Sequence, residues 1–186
     1  SDTLAVAGAG GTVLMRGQAN RATGTVVRRV FYGAAQWRAH RAAYDKAVQI
    51  TTPLTAGPHG TVYFGFTVTG ATPGHLSSGI ARIDANGHAT WISAAAAARD
   101  QAITGVPINC APALSPGGRT VYIAVTRPGR GVNSPDQGML VGLSTATLRP
   151  QFRVALKDPV TGRPVTVSPS SSASPTVGPD GQVYYG

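Results

Sequence analysis

The residues that could carry chemistry in this chain are few and scattered. The acidic residues number seven, and every one is an aspartate. The four histidines (His40, His59, His75 and His88) have no zinc-motif spacing. The one cysteine, Cys110, excludes an internal disulfide and a multi-cysteine metal site. We expect it to pack at a strand start, with a nucleophilic role as the alternative. These residues predict no catalytic site, no metal site and no cofactor.

The charge of the chain is strongly positive. The formal net charge is +9, and the sixteen basic residues are almost all arginines. Such a surface attracts anionic polymers. We interpret the arginines as spread over loops, since they form no dense run and no aromatic stacking motif accompanies them. Binding of an anionic polymer remains an alternative. We do not expect nucleic acid as a partner. Seven of the sixteen lie in the first fifty residues: Arg16, Arg21, Arg28, Arg29, Arg38, Arg41 and Lys46.

The composition favours short strands joined by tight turns. Of the 186 residues, 24 are glycine and 14 are proline, whereas strong helix formers other than alanine are scarce. Hydrophobic residues make up 42% and charged residues 12%, which excludes a disordered chain. No run of apolar residues is long enough for a transmembrane helix, so we expect no transmembrane segment.

A repeated segment organises the chain. In three copies a proline is followed by a glycine-containing turn and a Val-Tyr pair that starts a strand. The glycine supplies the positive φ that the turn requires. A fainter copy is Gly10-Gly11-Thr12-Val13-Leu14. The shared positions are Pro53, Gly60, Val62 and Tyr63; then Pro112, Gly118, Val121 and Tyr122; then Pro175, Gly181, Val183 and Tyr184.

The remainder of each unit predicts two further strands. Residues 78–84 and 88–92 are the predicted third and fourth strands of one unit, and residues 138–143 and 151–156 those of the next. Four strands per unit of this length predict the blade of a β-propeller. The expected fold is therefore all-β, with about three blades of four antiparallel strands in an incomplete ring. The expected units are 1–50, 51–109, 110–172 and the start of another at 173–186.

The turn between the third and fourth predicted strands resembles a known blade motif. Asp84, Gly87 and Trp91 match the Asp, turn and Trp of pyrroloquinoline-quinone-type repeats, and Asn20–Gly24 with Arg28 resembles a degenerate copy. The residues 143–148 keep neither the Asp nor the Gly. The chain thus resembles the quinoprotein-like propeller superfamily, including secreted bacterial members, over most of residues 50–186. That resemblance implies the fold and a secreted or periplasmic location.

The same resemblance implies a quinone cofactor with a calcium site and often a cysteine pair in the enzymes of this class. This chain has no such cysteine pair and no glutamate, so no catalytic residue is carried over. We expect a non-catalytic binding or scaffold propeller with an unknown ligand. A quinone-dependent oxidoreductase fragment and an anionic-polymer binder that uses the arginine-rich N-terminal region are the alternatives.

Two segments do not fit the repeat. Residues 34–49 predict either a helical turn or a long loop between blades. Residues 94–98 are five consecutive alanines, which predict a short inserted helix on one propeller face with Ser93 as its N-cap. The last residues match the start of a blade, so either a longer protein or partner chains supply the remaining blades; we favour the longer protein.

Overall fold

A computed structural model describes residues 2–127 and 137–186 of the chain. The fold is mostly β, with 39% strand and 14% helix, and its sheets are antiparallel with two to five strands. The all-β, antiparallel prediction is confirmed. No helix within the described ranges is both long and apolar enough to cross a membrane.

The first sheet has three strands. They are β1 (Leu4–Gly8), β2 (Thr12–Arg16) and β3 (Val26–Val30), in the order β1-β2-β3. The turn between β1 and β2 is a short 3-10 segment, Ala9–Gly11. The strands β1 and β2 pair with Leu4 opposite Arg16, and β2 and β3 pair with Thr12 opposite Val30.

Two short helices lead from the first sheet to the second. They are α1 (Ala34–Ala39) and α2 (Arg41–Ala47), so the segment 34–49 is helical over most of its length. The second sheet has five strands, which are β4 (Val48–Ile50), β5 (Thr55–Ala56), β6 (Val62–Val68), β7 (Gly79–Ile83) and β8 (Ala89–Ser93). The strands β4 and β5 both pair with one edge of β6, and β7 and β8 follow on its other side.

The alanine run forms the helix α3 (Ala94–Ala98), and the Ser93 hydroxyl accepts a hydrogen bond from the Ala96 N–H at 3.1 Å. The predicted helix and its N-cap are therefore confirmed. Ala94, Ala97 and Ala98 are fully buried whereas Ala96 is exposed, so one side of the helix packs inward. Small apolar side chains let this side approach the neighbouring sheets closely.

The third sheet repeats the four-strand arrangement in the order β12-β11-β10-β9. A final two-stranded hairpin follows it. The predicted third and fourth strands of both complete units are confirmed within one or two residues. The strands are β9 (Ala113–Leu114), β10 (Thr120–Arg127), β11 (Gln137–Ser144) and β12 (Pro150–Ala155), then β13 (Thr176–Val177) and β14 (Val183–Tyr184).

The second sheet separates two hydrophobic cores. Along β6, Val62, Phe64 and Phe66 point into one core and Tyr63 into the other, as the strand period of two requires. The first core is shared with β2, through Val13 and Met15. The other is shared with α3 and the third sheet; its members include Ile80, Ile103, Val121, Ile123, Val125, Val141, Leu143 and Leu148. Both faces of the second sheet are therefore buried.

The strand β1 of the first sheet starts at the same end as β6 of the second. Thr3, just before β1, lines a cleft with Gly60, which precedes β6. The Ala9–Gly11 turn lies at the other end, where Gly11 sits against Val48. The turn in the fainter repeat copy at residues 10–14 is thus at the opposite end from the turn that precedes β6. Its glycines, with φ of 67° and 69°, make a tight turn that any hairpin can use.

Candidate functional site

A groove runs between the first and second sheets at the end where β1 and β6 start. It consists of three adjoining clefts, of about 450 Å³ on the inner side, 270 Å³ in the middle and 290 Å³ on the outer side. Thr3, Met15 and Gly60 line both the inner and the middle cleft, and Arg29 lines both the middle and the outer one. The inner cleft is in the size range of common ligand pockets, and the outer cleft is the more polar one because Arg28 and Arg29 line it.

The inner cleft lies between the first sheet and the segment that contains β5. Leu54 and Ala56, beside and within β5, line one wall, and Ala5 of β1 and Met15 of β2 line the other. Ala56 pairs with Val62, whose side chain points toward the first sheet. The walls are therefore the inward faces of two neighbouring sheets.

Arg29 separates the middle cleft from the outer one. Its guanidinium lies over the backbone of Gly87, where a Cβ atom would stand 2.5 Å from Nη1. Nη2 donates to the Ala85 carbonyl at 3.4 Å, whereas Nε is buried without a hydrogen-bond partner among the described residues. Gly87 has a φ of 92°, so glycine serves both the turn and the close approach of Arg29. A guanidinium with unused donors is suited to binding an anionic or carbonyl group.

A tryptophan lies between two arginines on the outer side of the first sheet. The guanidinium carbons of Arg28 and Arg41 are 5.0 and 5.1 Å from the centre of the Trp37 ring. Arg28 also donates to Thr12 Oγ1 at 2.6 Å, and Arg41 forms an ion pair with Asp45. The sequence shows no aromatic stacking motif beside the N-terminal arginines, but the fold places Trp37 of α1 against Arg28 of β3 and Arg41 of α2.

The groove is lined by arginine and neutral residues. Among its described lining residues none is acidic, and His59 and the two arginines Arg28 and Arg29 are those with ionisable side chains. Catalysis by proton transfer needs a positioned acid or base near a reacting group. His59 stands in the 3-10 turn Pro58–Gly60 without a carboxylate against it among the described residues. The arrangement is suited to binding an extended ligand.

Asp84 and His88 form the turn between β7 and β8. The carboxylate accepts from the His88 backbone N–H at 2.9 Å and lies 3.2 Å from His88 Nδ1. Desolvation raises the pKa of Asp84, but these His88 contacts and a backbone hydrogen bond from Asn86 outweigh it, so the pKa is lower than usual. Nearby, Trp91 of β8 packs edge-on against Phe66 at 6.0 Å. The motif residues Asp84, Gly87 and Trp91 therefore hold the turn and the strand that follow β7.

Cys110 has the properties of a packed residue. It is fully buried, and burial raises the pKa of its thiol, although the neighbouring Ala124 and Tyr185 act in the opposite direction. The nucleophile is the thiolate, which a raised pKa disfavours at neutral pH. The described residues also contain no group of three or more metal-ligating side chains.

The structure brings together some of the repeat residues and separates others. Gly60 and Val62 line the inner cleft and Gly87 lines the outer one. Gly60, Gly118 and Gly181 have φ values of 73°, 63° and 84°, as their predicted turns require. Sequence reasoning did not single out Leu54 or Ala56, which carry no distinctive chemistry.

Comparisons with protein-family models, curated proteins and solved structures gave no match.

Proposed function

We propose that the chain is a section of a β-propeller, in which successive four-stranded sheets are arranged radially, and that it belongs to a non-catalytic binding or scaffold protein of the secreted or periplasmic kind. The observation that carries the proposal is the burial of both faces of the second sheet. A sheet in a two-layer sandwich buries one face, whereas an internal blade of a propeller buries two.

Contacts between neighbouring inner strands support the same arrangement. The Thr55 hydroxyl donates to the Pro112 carbonyl at 2.6 Å, and the Ala111 N–H donates to Ser174 Oγ at 2.8 Å. These bonds join the second sheet to the third, and the third to the segment before β13. The sequence separations of 57 and 63 residues are close to one repeat unit. Each unit therefore docks on its predecessor in a similar way.

The outer faces of the first and third sheets also support the proposal. Leu4, Val6 and Val26 are 51%, 48% and 57% exposed on the face of the first sheet that points away from the second. Phe152 and Val154 are 40% and 51% exposed on the far face of the third. Apolar sheet faces of this kind are suited to packing against further blades.

The quinoprotein resemblance enters this proposal as an expectation about fold. The Asp84 turn joins β7 and β8, the last two strands of their unit, and Trp91 lies within β8. The Asn20–Gly24 turn joins β2 and β3 at the equivalent position. This equivalence supports reading both turns as copies of one motif. The described lining of the groove contains no carboxylate, the group that a calcium site commonly uses.

Electron microscopy and ligand binding on the intact protein would test the proposal. We expect ring-shaped particles, saturable binding to members of a glycan and peptide array, and no alcohol or sugar oxidation with added quinone and calcium. A linear stack of sheets would contradict the architecture. Turnover with quinone, or a shift in melting temperature on adding quinone, would replace the binding function with the oxidoreductase alternative.

One observation favours a second candidate, the binding of an anionic polymer. Arg28 and Arg29 line the outer cleft, and no carboxylate lines the described part of it. Arg29→Gln should lower the salt concentration at which the protein elutes from heparin. Arg163→Gln, at an exposed turn remote from the groove, is the matched control. Equal elution of the two variants would exclude this role for Arg29.

A further inference from the structure

An asparagine–glycine pair lies in the turn that joins β7 to β8. Asn86 is exposed, so its side chain is largely free to rotate. Gly87 follows it with a φ of 92°. The sequence contains three other asparagines, and each of them precedes a residue that has a side chain. This turn is therefore the one place in the chain where an asparagine is followed by a backbone nitrogen that no side chain of its own residue shields.

An asparagine in this position has an intramolecular route to the loss of ammonia. The backbone nitrogen of Gly87 attacks the amide carbon Cγ of Asn86, and a five-membered succinimide ring closes. Ammonia leaves and takes up the proton that the nitrogen loses. Water then opens the ring at either of its two carbonyls, which gives aspartate in one case and isoaspartate in the other. The sequence of steps needs only water, and the closeness of the two reacting groups in the chain favours ring closure.

A positive charge lies against the residue whose nitrogen attacks. The Arg29 guanidinium covers Gly87, where a Cβ atom would stand 2.5 Å from Nη1 and 2.9 Å from Nε. The Gly87 N–H donates to the Asp84 carbonyl at 2.9 Å, and the Asp84 carboxylate accepts from the His88 N–H. The Gly87 nitrogen must lose its proton to attack, and a neighbouring cation favours the deprotonated form. Arg29 therefore assists ring closure in this turn.

The product would change a contact that joins the first sheet to the second. Arg29 of β3 donates to the Ala85 carbonyl and lies on the backbone of Gly87. Isoaspartate adds one methylene to the main chain between these two residues of the turn. The same stretch is spanned by the hydrogen bond from the Asp84 N–H to the His88 carbonyl at 3.0 Å. A longer main chain cannot keep both the turn and the Arg29 contact as they are.

We propose that Asn86 is a site of spontaneous deamidation through a succinimide with Gly87, assisted by Arg29, and that the isoaspartyl product loosens the contact between the first two sheets. The reaction is independent of the ligand that the chain binds, because every group that takes part belongs to the turn or to β3. It gives the protein a slow covalent change at one defined position.

Peptide mapping of the folded protein after incubation at mildly alkaline pH measures the reaction. Trypsin releases residues 83–99 as one peptide, and mass spectrometry with chromatography separates its asparaginyl, aspartyl and isoaspartyl forms. Asn20 is the internal control, because it is exposed in the turn between β2 and β3 and the next N–H, that of Arg21, also donates to a carbonyl at 2.9 Å. We expect Asn86 to convert about tenfold or more faster than Asn20, since glycine leaves the nitrogen unshielded.

Variants of the protein test each part of the proposal. Asn86→Gln keeps an amide but requires a six-membered ring, so conversion of residue 86 should stop. Arg29→Gln removes the positive charge and should slow conversion about threefold or more. Arg163→Gln, at an exposed turn remote from Gly87, should leave the rate unchanged.

The effect of the product is measured on the purified isoaspartyl form. Its midpoint of urea unfolding should be lower than that of the unmodified protein. Asn86→Asp makes the same change of charge with a normal main chain and should lose less of the midpoint.

Three results would overturn the proposal. The first is an unchanged Asn86 in the folded protein over a period in which the urea-denatured chain converts, which would show that the turn protects the site. The second is an equal or faster rate in Arg29→Gln, which would remove the role of the guanidinium. The third is an isoaspartyl form as stable as the unmodified protein. All three are independent of the microscopy, array and quinone experiments.

Discussion

The hydroxyl of Tyr63 donates a hydrogen bond to the main-chain carbonyl of Thr145 at 3.2 Å, from the second sheet to the third. The two residues are 82 positions apart, and the bond lies beside the core that contains the Tyr63 ring. Tyr63 is 3% exposed, and burial raises the pKa of its hydroxyl although Arg82 and Thr145 act in the opposite direction. The neutral phenol is thus the form that joins the two sheets.

Replacing Tyr63 with phenylalanine should lower the free energy of unfolding by about 1 kcal/mol, because one partly buried hydrogen bond between sheets is lost while the ring remains. Urea denaturation measures the change. Tyr122→Phe is the matched control, since Tyr122 is 9% exposed and no hydrogen bond of its hydroxyl to another described residue is present. Equal losses in the two variants would contradict a specific role for the Tyr63–Thr145 bond.

Alkaline pH should destabilise the chain through Tyr32. Burial raises the pKa of its hydroxyl above the ordinary value of 10.0, with further contributions from Tyr44 and Asp45. The folded state therefore holds the Tyr32 proton more tightly than the unfolded state. The resulting stability is fully present below pH 10.0 and is lost as the pH rises through the folded pKa.

Thermal unfolding over an alkaline pH series, with tyrosinate absorbance recorded in parallel, measures this effect. Tyr32→Phe should reduce the pH dependence above pH 10.0. Tyr184→Phe, at a hydroxyl on a 62% exposed residue, is the control that should leave it unchanged. Parallel curves for the wild type and Tyr32→Phe would exclude Tyr32 as the source.

Gly87→Ala should destabilise the protein by more than Gly33→Ala does. Both glycines have positive φ, of 92° and 112°, so both substitutions strain the backbone. A Cβ at Gly87 would in addition meet the Arg29 guanidinium at 2.5 Å, whereas nothing lies within 4 Å at Gly33. We expect a loss of about 1–3 kcal/mol at Gly87, measured by chemical denaturation.

Removing the Arg29 side chain separates its contact with the new Cβ from the backbone strain that Gly87→Ala causes. In an Arg29→Ala background the extra cost of Gly87→Ala should fall toward that of Gly33→Ala, because the contact has gone. If Gly87→Ala still costs as much more than Gly33→Ala in the Arg29→Ala background, Arg29 does not contribute to the destabilisation by Gly87→Ala.

The Ser93 cap predicts a further loss of stability. Ser93→Ala removes the acceptor for the Ala96 N–H and should lower the free energy of unfolding by about 1 kcal/mol. Ser93→Asp keeps an N-cap acceptor and should retain most of the stability. If the aspartate variant were as unstable as the alanine variant, packing of Ser93 rather than capping would be responsible.

The thiol of Cys110 should be protected from reagents in the folded protein. Its full burial and raised pKa both slow thiolate chemistry. We expect labelling by a disulfide reagent to be at least about a hundredfold slower in native than in unfolding conditions, since local opening must come first. Labelling at the rate of a free thiol would show that Cys110 is accessible and would restore the nucleophilic alternative.

Local sequence patterns were sufficient to predict strands and turns. The Val-Tyr pair that starts β6, the positive-φ glycines and the alanine run each determine structure over a few residues, and the structure agrees with them. The same patterns could not assign the turn at Gly10–Gly11 to a place in the repeat. A glycine pair fixes the backbone of a hairpin but does not specify which two strands of a sheet it joins.

The groove lay beyond sequence reasoning because it depends on how two sheets face each other rather than on a motif. Leu54 and Ala56 line it together with Ala5 and Met15 of the first sheet, which are distant in sequence. The stacking of Arg28 and Arg41 on Trp37 similarly depends on how α1 and α2 fold back on β3. Contacts between residues that lie far apart or on different elements have no local signature in a single sequence.

The two buried faces of the second sheet also determine the order in which the structure should come apart. Loss of the first or third sheet uncovers one face of β6 and β7, whereas loss of the second sheet would uncover both cores together. When residues 1–186 are studied as an isolated polypeptide, opening therefore proceeds from the first and third sheets toward the second, since each sheet contacts its neighbours. The backbone amides of β6 and β7 should be the slowest in the chain to exchange with solvent. These two strands should also be the last to lose native structure under partial denaturation.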